Sequence, residues 1–217
     1  GLKTYNGLVT INPGGVWKND ATGNAEIHFH NGLTHNGATF SAGTGIYYFE
    51  TNNQAIGGSS LITIPNLDVA SGVNLTNNSA GLTVSTTLSG AGTITQGASG
   101  VLNVGMMTET GFTLTTLNAS AAGNTVNYSF GGVQTVRDIQ YHHLTLSTSG
   151  AKTLPAGLTH LTGNLSLSGT ATSAITVADL DIDGSLSIAN SASLTVGAFN
   201  FNVDGTTSII GTSTSIN

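Results

Sequence analysis

The chain has 217 residues, with 30 glycines, no cysteine and only 6% charged residues, four Lys or Arg against ten Asp or Glu. Four dispersed cations cannot neutralise a phosphate backbone, so neither nucleic acid nor an anionic membrane surface fits as a partner. The absence of cysteine removes disulfides, thiolate zinc sites and cysteine nucleophiles, and no apolar run reaches the length of a membrane span, so no membrane insertion is expected.

Apolar residues alternate with polar ones in very short bursts, the signature of half-buried strands. In chain order they are 8–11 (LVTI), 26–29 (EIHF), 61–64 (LITI), 82–84 (LTV) and 101–104 (VLNV). The series continues with 144–146 (LTL), 165–167 (LSL), 175–177 (ITV), 180–182 (LDI), 186–188 (LSI), 194–196 (LTV) and 199–203 (FNFNV). Each predicts a strand with Leu, Ile, Val or Phe inward and Thr, Ser, Asn or Asp outward. Gly, Asn, Ser and Asp punctuate them. No stretch has helical period, and 119–124 (ASAAGN) is too short and glycine-broken to form one.

In the last third, strand starts fall at Leu186, Leu194, Phe201 and about Ile209, seven to eight residues apart. If every third strand stacks on itself, the rung is about 21 to 24 residues, a solenoid period. Parallel pairing needs a long connection, which the other two sides of a three-faced coil supply. An all-β, right-handed parallel β-helix with short strands is therefore expected. The alternative is a pair of tandem antiparallel β-sandwiches, in which Asn31-Gly32, Asn36-Gly37, Asp183-Gly184 and Asp204-Gly205 would be hairpin turns.

A longer repeat overlies the short one. Residues 48–56 (YFETNNQAI) align with 128–136 (YSFGGVQTV), matching Tyr48 to Tyr128 and Gln54 to Gln134. The alignment divides one continuous solenoid into the end of a unit (1–45), a first repeat (46–123), and a second repeat with the start of the next (124–217). The first residues already read as strand and turn, and the last stop in mid-pattern. Both predict a fragment of a longer chain, with flanking repeats of the same chain as partners.

The phrases VTINPGGVWKN, LTHNGATFSAGTGIYYFETNNQAI, AAGNTVNYSFGGVQTV and YHHLTLSTSGAKTLPAG resemble the repeat modules of very large secreted and surface proteins of Bacteroidota. These are type IX secretion substrates, of which the gliding adhesins are the best-known kind. The resemblance implies an extracellular, cell-surface stalk that supports adhesion or gliding, with surface polysaccharide or the secretion machinery as partners. It brings no catalytic motif with it.

Several residue groups invite a sharper reading. In AEIHFHNG, period two puts Glu26, His28 and His30 on one strand face, where they are candidate metal ligands. The competing reading is a solvated face. His35 lies beyond a turn, His142 and His143 point to opposite faces on a strand and do not pair, and His160 stands alone. Asp179, Asp181 and Asp183 in DLDIDG match the opening of a calcium loop. An EF-hand also needs flanking helices and a glutamate at the twelfth position, where this chain has Asn190. A row of carboxylates repels itself, and calcium would relieve that; otherwise no cofactor is expected. Arg137-Asp138 reads as a loop salt pair. Thr-x-Thr at 93–95 and 113–115 does not recur at rung spacing. Trp17, Tyr47 and Tyr141 are candidate glycan-stacking rings if exposed and coil filling if buried. No phosphate loop or nucleophile elbow occurs. The expected function is structural and adhesive, without catalysis. A glycan-binding module and a β-helical polysaccharide-active enzyme are the alternatives.

Overall fold

The computed structural model describes residues 1–20, 24–174 and 178–210. Among them every strand ladder is parallel. The chain winds as a β-solenoid of about nine turns, and tandem antiparallel sandwiches are excluded. The Asn-Gly and Asp-Gly pairs make corners of the coil, not hairpins. The expected strand at 175–177 lies outside the described residues.

A typical turn places one strand on each of three faces. The first face stacks Lys3–Tyr5, Ile27–Phe29, Ile46–Phe49 and the second halves of Ile62–Val69 and Leu82–Ser89, and further along the coil Gln134–Thr135, Ser149–Thr153, Thr170–Ala174 and Ser193–Thr195. The second stacks Val9–Ile11, Leu33–His35, Gln54–Gly57, Asn74–Asn77, Thr93–Gln96 and Thr116–Asn118. It continues through isolated bridges at Tyr141 to His160–Leu161, Leu180–Ile182 and Phe201–Val203. The third carries residues 62–64 and 82–84, then Val101–Val104, Thr125–Tyr128, His143–Leu146, Leu165–Leu167, Leu186–Ile188 and Thr207–Ile209.

The rung is 21 residues where Leu144 pairs with Leu165, Leu165 with Leu186 and Leu186 with Thr207. It lengthens to 24 between Leu102 and Val126 and shortens to 18 between Val126 and Leu144. The range is thus wider than the sequence spacing predicts, because corners absorb insertions and strands do not.

Alternation along each strand becomes columns along the coil. Ile62, Leu82, Leu102, Val126, Leu144, Leu165 and Leu186 stack in register and are buried. Each such side chain contributes roughly 1.5–3 kcal/mol of burial. Between this column and its neighbour runs an outward one of Thr63, Thr83, Asn103, Asn127, Thr145, Ser166, Ser187 and Ser208. Its amides bond along the stack: Asn103 Nδ2 donates to Thr83 Oγ1 at 3.1 Å and Asn127 Nδ2 to Asn103 Oδ1 at 3.0 Å. Corners bring backbones close. Gly90 has φ of 109°, and a Cβ there would lie 2.0 Å from the Val69 carbonyl oxygen.

Polar groups inside the coil hold corners shut. Gln54 Nε2 donates to the carbonyls of Phe29 and Glu50, both at 2.7 Å. Gln134 Nε2 donates to those of Val104 at 2.8 Å and Met106 at 2.7 Å. The two aligned glutamines thus do the same local work, although Gln54 begins a strand of the second face and Gln134 one of the first. Lys152 is fully buried beside Gln134, donating to its Oε1 and to the Gly132 carbonyl, both at 3.1 Å.

One helical turn, Thr108–Gly111, occurs where no helix is expected. Four residues are too few to show a period. It replaces a strand of the first face, between Leu82–Ser89 and Gln134–Thr135. Phe112 bridges back to Leu88, and Thr108 Oγ1 exchanges hydrogen bonds with the backbone of Thr135.

Candidate functional site

Three outward features gather chemically active side chains. The first is the histidine-rich strand Ile27–Phe29. Ile27 and Phe29 are buried and His28 lies half-buried on the outer side, as alternation predicts. Glu26 shares that side but joins no cluster. The carboxylate that His28 and His30 reach is Glu50, one rung on. His28 Nδ1 lies 2.6 Å and His30 Nε2 3.3 Å from the same Glu50 oxygen. Tyr48 stacks on His28 with ring centroids 4.5 Å apart. Partial burial pushes the Glu50 pKa up, and the hydrogen bonds from His28 and His30 outweigh it, leaving the carboxyl below its ordinary range. Two imidazoles spent on one carboxylate oxygen make a hydrogen-bonded clamp between rungs.

The second is the aspartate run on the second face. Leu180 and Ile182 are buried, so Asp181 and Asp183 point outward. The strand Leu180–Ile182 passes through the middle of the aspartate run. Asp179 is taken by Asn200, whose backbone N–H and Nδ2 donate at 2.8 and 2.9 Å. Those bonds hold its carboxyl below the usual range. Asp181 stands in register with His160 on one side and Asn202 on the other. His160 Nε2 lies 2.7 Å from Asp183 Oδ1. The ligand atoms of His160, Asp181 and Asp183 all fall within 4.8 Å of one another. His160 is therefore not alone, and its Asp183 bond raises its pKa, against a small lowering by burial.

The third feature is a cavity of about 390 Å³ beside the helical turn, lined by Glu109, Phe112, Val136, Arg137, Asp138 and Pro155 among others. It exists because a helical turn cannot continue the strand ladder, so the face opens there. Arg137 does not pair with Asp138. Its guanidinium lies 4.6 Å from the Phe112 ring centroid and donates to the Leu114 and Thr115 carbonyls. Thr135 Oγ1 donates to Glu109. The cavity therefore has an apolar floor and two carboxylates at its margin.

The proposed aromatic contacts fall elsewhere. Tyr47 and Tyr141 are fully buried and offer no ring face to a glycan. Tyr47 OH accepts from Trp17 Nε1 at 3.0 Å and donates to the Ala42 carbonyl at 2.9 Å. Tyr141 OH meets Tyr128 OH at 2.7 Å and donates to the Arg137 carbonyl at 2.9 Å. Trp17 is half-buried and stacks on Phe40, in the wall of a smaller cavity of about 250 Å³ with Lys3, Tyr5 and Lys18. His35 points into the core, where burial lowers its pKa. His142 and His143 do touch, at 4.1 Å between ring centroids, because His142 sits at the corner before the strand and is not part of it.

Fold and surface together define a three-faced parallel β-solenoid with an apolar interior and sparsely charged faces. Family models, curated proteins and solved structures yield no match to this chain.

Proposed function

We propose that this chain is a rigid spacer segment of a large extracellular surface protein that supports adhesion or gliding, and that it is not an enzyme. The observation that supports the reading most is the continuity of the ladder. Eleven strands stack in one sheet from Lys3–Tyr5 to Thr207–Ile209, a length of about 48 Å at the usual strand spacing. Backbone groups are paired rung to rung, and a narrow apolar core runs from Ile11 to Val196, which resists bending. The resemblance to Bacteroidota repeat modules points the same way. The test is the intact mass of the protein made by its own cell, with protease shaving of whole cells. A surface-exposed chain many times 21.8 kDa is expected. A mature chain near that mass, protected inside the cell, overturns the reading.

A second reading, a glycan-binding module, is favoured by the cavity at the helical turn. Carboxylates beside an apolar floor suit sugar hydroxyls over a pyranose face. A glycan-array signal lost in E109Q or D138N supports it, and a signal unchanged in both refutes it.

A further inference from the structure

We propose that His160, Asp181 and Asp183 form a binding site for a divalent transition-metal ion, which staples two consecutive rungs of the solenoid. The site follows from register. His160 faces Asp181 directly across the ladder between His160–Leu161 and Leu180–Ile182. Leu161, Leu180 and Ile182 are buried, so alternation turns all three ligands outward on the same patch. Asp183, two residues beyond Asp181, reaches back to His160 at 2.7 Å.

The spacing suits one ion. Ligand atoms around a tetrahedral zinc lie about 3.3 Å apart. These three lie within 4.8 Å of each other, close enough for one ion to draw them together. A further position stays open for water.

The donor set chooses the ion. One imidazole nitrogen with two carboxylate oxygens suits zinc, cobalt, manganese or iron(II). Calcium and magnesium prefer oxygen-only shells. The surroundings supply charge and rigidity. No Lys or Arg follows Lys152 in the sequence, while Asp179, Asp181, Asp183 and Asp204 do. Asn202 Nδ2 donates to Asp181 at 2.8 Å and to Asp204 at 3.0 Å, which fixes the Asp181 carboxylate. The Glu50 clamp is not gathered in this way: among the described residues only His160, Asp181 and Asp183 bring three such ligand atoms within 4.8 Å of one another.

Metal binding displaces the proton of the His160–Asp183 hydrogen bond, so affinity rises with pH. The staple sits where it matters mechanically, since the strand at His160–Leu161 is only two residues long.

Isothermal titration of the 217-residue chain with zinc chloride and, separately, calcium chloride tests the site, with cobalt(II) absorption reporting the geometry. One zinc per chain is expected, bound more tightly than calcium. H160A and H160Q should each weaken zinc by at least about tenfold, as should D181N. D179N should leave it within twofold, because Asp179 is engaged by Asn200. Far-ultraviolet circular dichroism confirms that each variant is folded. Unchanged zinc affinity in both His160 variants overturns the site. So does calcium binding tighter than zinc, or a loss in D179N equal to that in D181N, either of which restores the linear aspartate motif.

Discussion

Raising the pH from 7 to 9.5 is expected to stabilise this protein, with Lys152 as the group responsible. Its side chain is buried, and its ammonium donates to the carbonyls of Phe130 and Gly132 and to Gln134 Oε1. Burial lowers its pKa from 10.5 to about 8. Between those values the unfolded chain holds a proton that the folded chain has released, so stability rises with pH through this window. The term is fully present above 10.5 and is lost as pH falls through about 8. Integrated from pH 7 to 9.5, it amounts to about 2 kcal/mol, or roughly 1 M in the urea midpoint. Buried tyrosines set the upper bound of the experiment. Burial raises the Tyr128 pKa to about 12 and Tyr141 well above 10, so their contribution is present below pH 10 and is lost as pH climbs through about 12. Urea denaturation of wild type and K152M at pH 7, 8, 9 and 9.5 isolates the lysine. The wild-type midpoint should rise relative to that of K152M. Two parallel pH profiles would refute the reasoning.

Three further outcomes follow from named contacts. L165A removes one layer of the buried leucine column and should cost about 2–5 kcal/mol, read as a lowered urea midpoint; a change under 1 kcal/mol would mean the column is loosely packed. G90A should be severely destabilised because its Cβ would meet the Val69 carbonyl at 2.0 Å, whereas at G72A nothing lies within 4 Å and only the cost of positive φ applies. Equal melting temperatures for the two variants would contradict the corner geometry. In NMR titration the His160 ring should titrate above 6.5, and D183N should bring it back down; no change in D183N would show that the pair does not form in solution.

Much of the fold is legible in the sequence because a solenoid repeats one local rule. Leu165, Leu186 and their flanking serines announce inward and outward positions at period two, and the strand spacing sets the rung. The helical turn at Thr108–Gly111 is not legible, since four residues carry no period and its anchor, the Thr108–Thr135 exchange, spans a rung. Alternation with Phe49 does turn Tyr47 inward, but the inward turn of Tyr141 is not legible. It sits at an isolated bridge with no period to read, and its partners Tyr128 and Arg137 decide it. The buried Lys152 was equally hidden, because its acceptors come from the corner one rung before.

The sites illustrate why spacing along the chain misleads in this architecture. Sequence adjacency joins Glu26 to His28 and Asp179 to Asp181. The coil instead joins His28 to Glu50, 22 residues away, and His160 to Asp183, 23 residues away. Residues two apart on a strand are separated by about 6.6 Å, while residues one rung apart are separated by about 4.8 Å. A side chain on such a face is therefore closer to the residue one rung away than to its nearest same-face neighbour in sequence. Once the rung length is known, chemically active clusters are found by reading across rungs. That rule finds the Glu50 clamp and the His160 site, and it removes Glu26 and Asp179 from the ligand sets in which linear spacing had placed them.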